Sequence, residues 1–175
     1  KIVDGNVTRV RLTGRLSLNI RWRKVFDNID GEIVVDLSGV TTIETSGLQS
    51  LDVHLRTLIG SDRSITIDHA PLALLERLAQ RPAKGITVLS ATVAGHCASC
   101  GVARSASIRL DHYRDDRARS LLVNCKRCDR RLEIKVDPVI DRYLAAAAAP
   151  AIAVPVAAQE VTVPLVPLAP PRPRS

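Results

Sequence analysis

The stretches "HCASCG" and "NCKRCD" set Cys97, Cys100, Cys125 and Cys128 in two C-x-x-C pairs, with 24 residues between the pairs. Two residues between thiolates let a tight turn aim both sulfurs at one ion, and two such turns complete a tetrahedron. These four make up the whole cysteine inventory, so no thiol is left over. The pattern points to Zn²⁺ in a structural role, because four thiolates leave no open coordination position for a substrate. Two disulfides are the alternative in an oxidising compartment. A thioredoxin-like redox pair would need its own βαβ setting. His96 and His112 lie close in sequence as substitute ligands, but four thiols suffice. Thiolate ligation leaves about two excess negative charges on the ion's surroundings. Lys126, Arg127, Arg130 and Arg131, in or beside the second pair, are the expected counter-charges. The same four cations could instead hold phosphates of a nucleic acid.

A second chemistry-bearing stretch is "TTIETSGLQSL", residues 41–51, which changes from a β-branched run to leucines at helical spacing. Ser46 and Gln49 stand at capping-box spacing, which by itself accounts for a serine there. The same position suits a phosphoryl group, since unpaired backbone N–H groups and the positive end of the helix dipole would face it. Modification would add about −1.5 to −2 charges to the surface and repel a partner docked on it. No set of nucleophile, base and oxyanion donors can be assembled elsewhere, so a non-enzymatic protein is expected. Asp68 and His69 read as a helix cap and a surface residue.

The elements that position these residues can be read from periodicity. "VTRVRLTGRL" alternates as a strand, and "SLNIRWRKVFDNID" carries Trp22, Val25, Phe26 and Ile29 on one helix face. "GEIVVDL" is a compact buried strand. Leu48, Leu51, Leu55 and Leu58 then form the apolar stripe of a helix. "RSITID" predicts a strand, "PLALLERLAQ" a helix with proline in its first turn, and "GITVLSA" another strand. Strands alternating with helices indicate an α/β layer on a largely parallel or mixed sheet. Beyond residue 94 only short strand-like runs such as "ASIRL" and "SLLVN" interrupt the cysteines and basic residues.

Composition narrows the function classes. Trp22, Phe26, Tyr113 and Tyr143 are the only aromatics among 175 residues, so the core must be aliphatic. The scarcity disfavours a reader of single-stranded nucleic acid, which needs aromatic stacking platforms. The formal net charge of +7 comes mostly from the C-terminal half. Leu144 to Ala158 is apolar, but Pro150 and Pro155 break it well short of the roughly 20 residues a spanning helix needs, so no membrane span is expected. Recurrent prolines from there to "PRPRS" predict a disordered, extended tail.

Residues 1–94 resemble a known family. "IVVDLSGVTTIETSGLQSL" is similar to the signature of STAS domains, the anti-sigma factor antagonist fold, and "RLTGRLS" matches as well. That signature is a buried strand ending in Asp, a short "LSGV" turn, and an Asp-Ser-Ser-Gly-Leu-like loop opening a helix. In the family the serine before the glycine is phosphorylated by an anti-sigma factor with kinase chemistry, and only the unmodified form binds that partner. The resemblance maps this role onto Ser46 and a partner-binding loop onto Asp36, Glu44, Thr45, Ser46 and Gly47. Glu44 and Thr45 depart from the family's usual Asp and Ser. The cysteine segment resembles a zinc ribbon.

The resulting expectation is an α/β protein with three parts: a STAS-like mixed sheet with packed helices over 1–94, a zinc-ribbon-like β module over 95–143, and a disordered Ala/Pro-rich tail over 144–175. Its expected role is cytoplasmic bacterial signalling through a protein partner, an anti-sigma factor or serine kinase, with zinc as structural cofactor. The alternatives are a nucleic-acid-binding regulator using the basic cysteine module, and an unphosphorylated scaffold.

Overall fold

The computed structural model describes residues 3–4, 7–29, 31–59, 63–116, 120–147 and 160–164. Its elements begin with β1 (Val3–Asp4), β2 (Val7–Leu16), α1 (Trp22–Val25), β3 (Glu32–Ile43), α2 (Thr45–Ile59) and β4 (Ile65–Asp68). They continue with β5 (Ala70–Pro71), α3 (Leu72–Gln80), β6 (Ile86–Val88), β7 (Ser90–His96), β8 (Ala103–Arg109) and α4 (Leu110–Asp116). The last are β9 (Ser120–Asn124), β10 (Arg131–Lys135), α5 (Val139–Ala146) and β11 (Glu160–Pro164). The protein is mixed α/β. It divides into two compact units, Lys1–Ile65 with Pro155–Ser175, and Thr66–Val154.

In the first unit β2 and β3 run parallel, with Val10 opposite Val35 and Arg11 opposite Asp36. Alternation along β2 sends Thr8, Val10 and Leu12 inward. β3 opens with an unbroken buried run, Ile33 to Leu37, as expected of a parallel strand covered on both faces. The "LSGV" stretch, read from sequence as a turn, instead lies inside β3. The pairing absorbs the irregularity as register shifts between Arg11 and Thr13 and between Gly14 and Arg15. Gly39 is needed there: a Cβ would come within 2.6 Å of Thr13 Cγ2 and 2.8 Å of the Leu12 carbonyl oxygen.

The helix expected over "SLNIRWRKVFDNID" shrinks to the four residues of α1, ended by a turn in which Asn28 takes a left-handed φ of 52°. Its apolar face is still buried through Trp22, Phe26 and Ile29. Trp22 Nε1 donates to Ser50 Oγ at 2.8 Å, and the Trp22 and Phe26 rings lie 6.2 and 5.4 Å from that of His54 on α2. Leu48, Leu51 and Leu55 are buried as the heptad-like spacing predicts, while Leu58 is half-buried.

The tail expectation needs correction in two places. Residues 144–146 complete α5, and Glu160–Pro164 forms β11, which pairs parallel with Arg9–Thr13 of β2. The β-branched "VTV" suits an extended strand, and the open edge of β2 supplies its hydrogen bonds. Residues 148–159 and 165–175 of that expected tail lie outside the described residues.

In the second unit α3 buries Leu74, Leu75 and Leu78, and packs against α5, which buries Val139, Ile140 and Tyr143. Pro71 stands one position before α3 rather than in its first turn. "GITVLSA" splits at Leu89 into β6 and β7. Leu89 N–H donates to the Ile67 carbonyl at 2.8 Å, and its own carbonyl accepts from Leu110 N–H at 2.9 Å. The few aromatics serve as anchors: Tyr143 Oη accepts the Val88 N–H at 3.0 Å, and Tyr113 Oη donates to Asp141 Oδ1 at 3.1 Å. β5 pairs parallel with β7, while β7–β8 and β9–β10 are antiparallel hairpins. Residue 94, where the composition changes, lies within β7.

Candidate metal centre and the start of helix α2

Each hairpin carries one cysteine pair at its tip, and the two tips are built alike. Cys97 N–H donates to the Val102 carbonyl at 3.0 Å, and Gly101 N–H donates to the Cys97 carbonyl at 2.8 Å. In the second tip Cys125 N–H donates to the Arg130 carbonyl at 2.9 Å, and Asp129 N–H to the Cys125 carbonyl at 2.7 Å. Both turns close on a left-handed residue, Gly101 at φ 68° and Asp129 at φ 55°. Glycine and aspartate are among the residues that enter this region most readily. The strands thus end in register, and each turn aims its thiols at the other.

All four Sγ atoms lie within 4.8 Å of one another. Cys97 and Cys128 approach to 3.5 Å, and Cys100 and Cys125 to 3.6 Å. A tetrahedron with metal–sulfur bonds of about 2.3 Å has edges of about 3.8 Å, so the cluster fits one thiolate-bound ion. The cysteines are free thiols, not disulfides.

The electrostatics of the cluster call for a cation. Backbone N–H groups of Ser99 and Cys100 lower the Cys97 thiol. Those of Arg127 and Cys128, with a contribution from the Arg104 guanidinium, hold Cys125 down at about 6. Cys128 goes the other way. The Arg130 N–H favours its thiolate, but proton sharing with Cys97, burial and the remaining thiols push it up to about 11. Like charges this close cannot all ionise without a positive partner.

The counter-charges expected from sequence lie on the surface of the second turn. Lys126, Arg127, Arg130 and Arg131 are all exposed, and Arg130 Nη1 reaches across to Ser99 Oγ at 3.4 Å. His96 and His112 are exposed and outside the cluster. Arg104 on β8 contributes to lowering the Cys125 thiol. The doubled motif held the signal: Arg104 follows Cys97 by the same offset at which Leu132 follows Cys125, and Leu132 is buried. A charged residue at the inward position of one copy marks a special environment.

At the other site, β3 hands over to α2. Glu44 N–H donates to the Leu16 carbonyl at 3.0 Å, and the Glu44 carbonyl accepts from Leu48 N–H at 2.9 Å. The helix therefore starts at Thr45, and Ser46 sits inside its first turn rather than at the cap, so the capping-box reading does not hold. Gly47 is buried, and a Cβ there would run into the Leu16 carbonyl. Thr45 is exposed and Ser46 half-buried. Glu44 is tied to Arg15 by a short ion pair.

Asp36 is not at this end. It lies buried in mid-β3, accepting from Ser38 N–H at 2.9 Å, with Arg9 at 4.0 Å and Arg11 at 3.7 Å. The stretch of strand from Asp36 to Ile43 spans roughly 20 Å at ordinary rise per residue. Asp68 does not cap α3: it is buried and accepts from Ser90 Oγ at 2.6 Å and from His69 N–H at 3.1 Å. The Ser90 hydroxyl is thus directed at a carboxylate rather than at the His69 imidazole, unlike a nucleophile poised beside its base.

Comparison of the chain with protein-family models, with curated proteins and with solved structures finds no significant match.

Proposed function

We propose that the chain is a non-enzymatic signalling module of the STAS-like partner-switch type, in which the outer face of the first turn of α2 meets a regulatory protein. The observation that carries this reading is the seating of that turn. Gly47 presses onto Leu16, so the turn is fixed while Thr45 stays exposed and the Ser46 side chain is not sealed beneath the leucines. A phosphate on Ser46 would meet the positive end of a 15-residue helix with no acidic residue in its first turn. It would be tolerated by the fold and would repel a partner that docks there. Incubation with the cognate serine kinase and labelled ATP should label the wild type and leave Ser46→Ala unlabelled. Equal labelling of both proteins would end the switch.

The four cysteines are read as a structural zinc centre, supported by the 3.5 and 3.6 Å sulfur contacts and the all-thiolate donor set. When bound, zinc supplies only a cross-link between the two hairpin tips. A second reading, contact with nucleic-acid phosphates, is favoured by the exposure of Lys126, Arg127, Arg130 and Arg131 together. Duplex binding that weakens steeply with salt would support it, and its absence at low salt would remove it.

A further inference from the structure

We infer that the outer edge of β9 is a self-association surface, on which a second copy of this chain lays its own β9 antiparallel. The two β9–β10 hairpins then join into one continuous sheet.

The β9–β10 ladder is two-stranded, and β9 has no strand on its other side among the described residues. A two-stranded ribbon is marginal by itself, and an open edge presents a row of unpaired backbone groups. Exposed edges are ordinarily guarded by lysine, proline or a bulge. β9 has none of these. Ser120 to Asn124 contains no charge and no proline, and it pairs with Arg131 to Lys135 without a register shift. Its neighbours differ: β10 reads Arg-Leu-Glu-Ile-Lys, and the edge strand β8 carries Arg104 and Arg109. In the middle of β9 stands Leu122, the most exposed large apolar side chain among the described residues.

The occupant follows from symmetry. Cys125 N–H donates to the Arg130 carbonyl across the hairpin, which fixes the alternation along the strand. Leu121 and Val123 turn their backbone groups to β10, and Ser120, Leu122 and Asn124 turn theirs to the open edge. A two-fold axis through Leu122 sets it against Leu122 of the second copy, Ser120 against Asn124, and Asn124 against Ser120. Every outward N–H then meets an outward carbonyl. Leu121 stands opposite Val123, and small polar residues close both ends, so the strand complements itself with no charge to strand. The contact is far smaller than a permanent interface, so the copies associate weakly and exchange freely. Pairing of this kind carries the two second cysteine turns to opposite ends of the shared sheet.

The test uses the full chain in zinc-containing, reducing buffer, so that no intermolecular disulfide forms. Sedimentation velocity is followed over a concentration series for the wild type, Leu122→Lys, Leu122→Glu and an equal mixture of those two. Leu18→Lys, at another exposed leucine, is the control. The wild type should pass from monomer to dimer as concentration rises. Either charged variant sets like charges directly across the axis and should weaken the dimer about tenfold or more. The mixture sets lysine against glutamate and should recover it, and Leu18→Lys should match the wild type. Amide NMR signals of wild-type Ser120, Leu122 and Asn124 should shift with concentration more than those of Leu121 and Val123. A wild type that stays monomeric overturns the second copy as occupant. So does a dimer that Leu122→Lys leaves intact, a mixture that gains nothing over its components, or an equal loss in Leu18→Lys. Should a charged variant fail to fold, the wild-type amides decide alone, and shifts that do not alternate along β9 overturn the pairing.

Discussion

The start of α2 and the two cysteine turns solve the same problem, fixing a short turn at the end of a strand, by opposite means. At α2 the turn is held by packing. Gly47 lies on the Leu16 backbone, and Leu48, Leu51 and Leu55 are buried below. At the cysteine turns apolar burial is confined to alternate residues, such as Leu132 and Ile134 of β10. β8 and β9 are mostly half-exposed or exposed, and Leu122 is 67% exposed. There the thiols must supply the cohesion. A hydrocarbon-held turn depends on shape, and a thiolate-held turn depends on an ion.

The comparison is broken most sharply by removing the ion. Chelation should cost the cysteine turns most of their stability, since structural zinc contributes on the order of 10 kcal/mol in small domains. Hydrogen exchange over 97–102 and 125–130 should rise strongly. Trp22, the only tryptophan, reports on the first unit, and its fluorescence should stay unchanged. A parallel loss of both signals would show that the two regions are not held by different means.

The next test places an alanine in each kind of turn. Gly47→Ala forces a Cβ into backbone atoms that cannot swing aside, and should destabilise the first unit by about 3 kcal/mol. Gly101→Ala meets nothing within 4 Å and incurs only the left-handed strain, about 1 kcal/mol. Denaturant midpoints of the zinc-loaded variants give the order, and a reversed order would contradict the contrast.

The smallest effect sharpens the picture of the packed side. His54 stacks beside Trp22 and Phe26 with its Nε2 buried and without a hydrogen-bond partner among the described residues. Burial, then the charge of Arg23, lower its pKa below the ordinary 6.5. The unfolded chain therefore takes up a proton that the folded one refuses. This contribution is fully present above about pH 6.5 and is lost as pH falls from there through the lower folded value. His54→Gln should flatten the drop in denaturant midpoint between pH 7.5 and 5.5, and an unaltered drop would assign it to another group.

How much could be read beforehand follows the same division. β2, α2 and α3 were legible because burying one face writes a period into the sequence, as the leucines of α2 show. The four cysteines were legible because coordination fixes their spacing. The passage of β3 through "LSGV" was not, since its turn-like composition is accommodated by register shifts set by the neighbouring strand. Nor was the influence of Arg104 on the Cys125 thiol, because proximity in sequence favoured Lys126 and Arg127. Strand β11 was hidden for a related reason. A short β-branched run among prolines becomes a strand only when an open edge receives it.

That strand has a consequence for how the molecule is made. The first unit is discontinuous: its β11 is translated only after every residue of the second unit. A ribosome working from the N-terminus delivers the cysteine-bearing unit whole before it delivers the piece that covers β2, at about 5–20 residues per second. For several seconds the nascent chain carries a bare sheet edge, and the order of synthesis makes the earlier unit the later one to be finished.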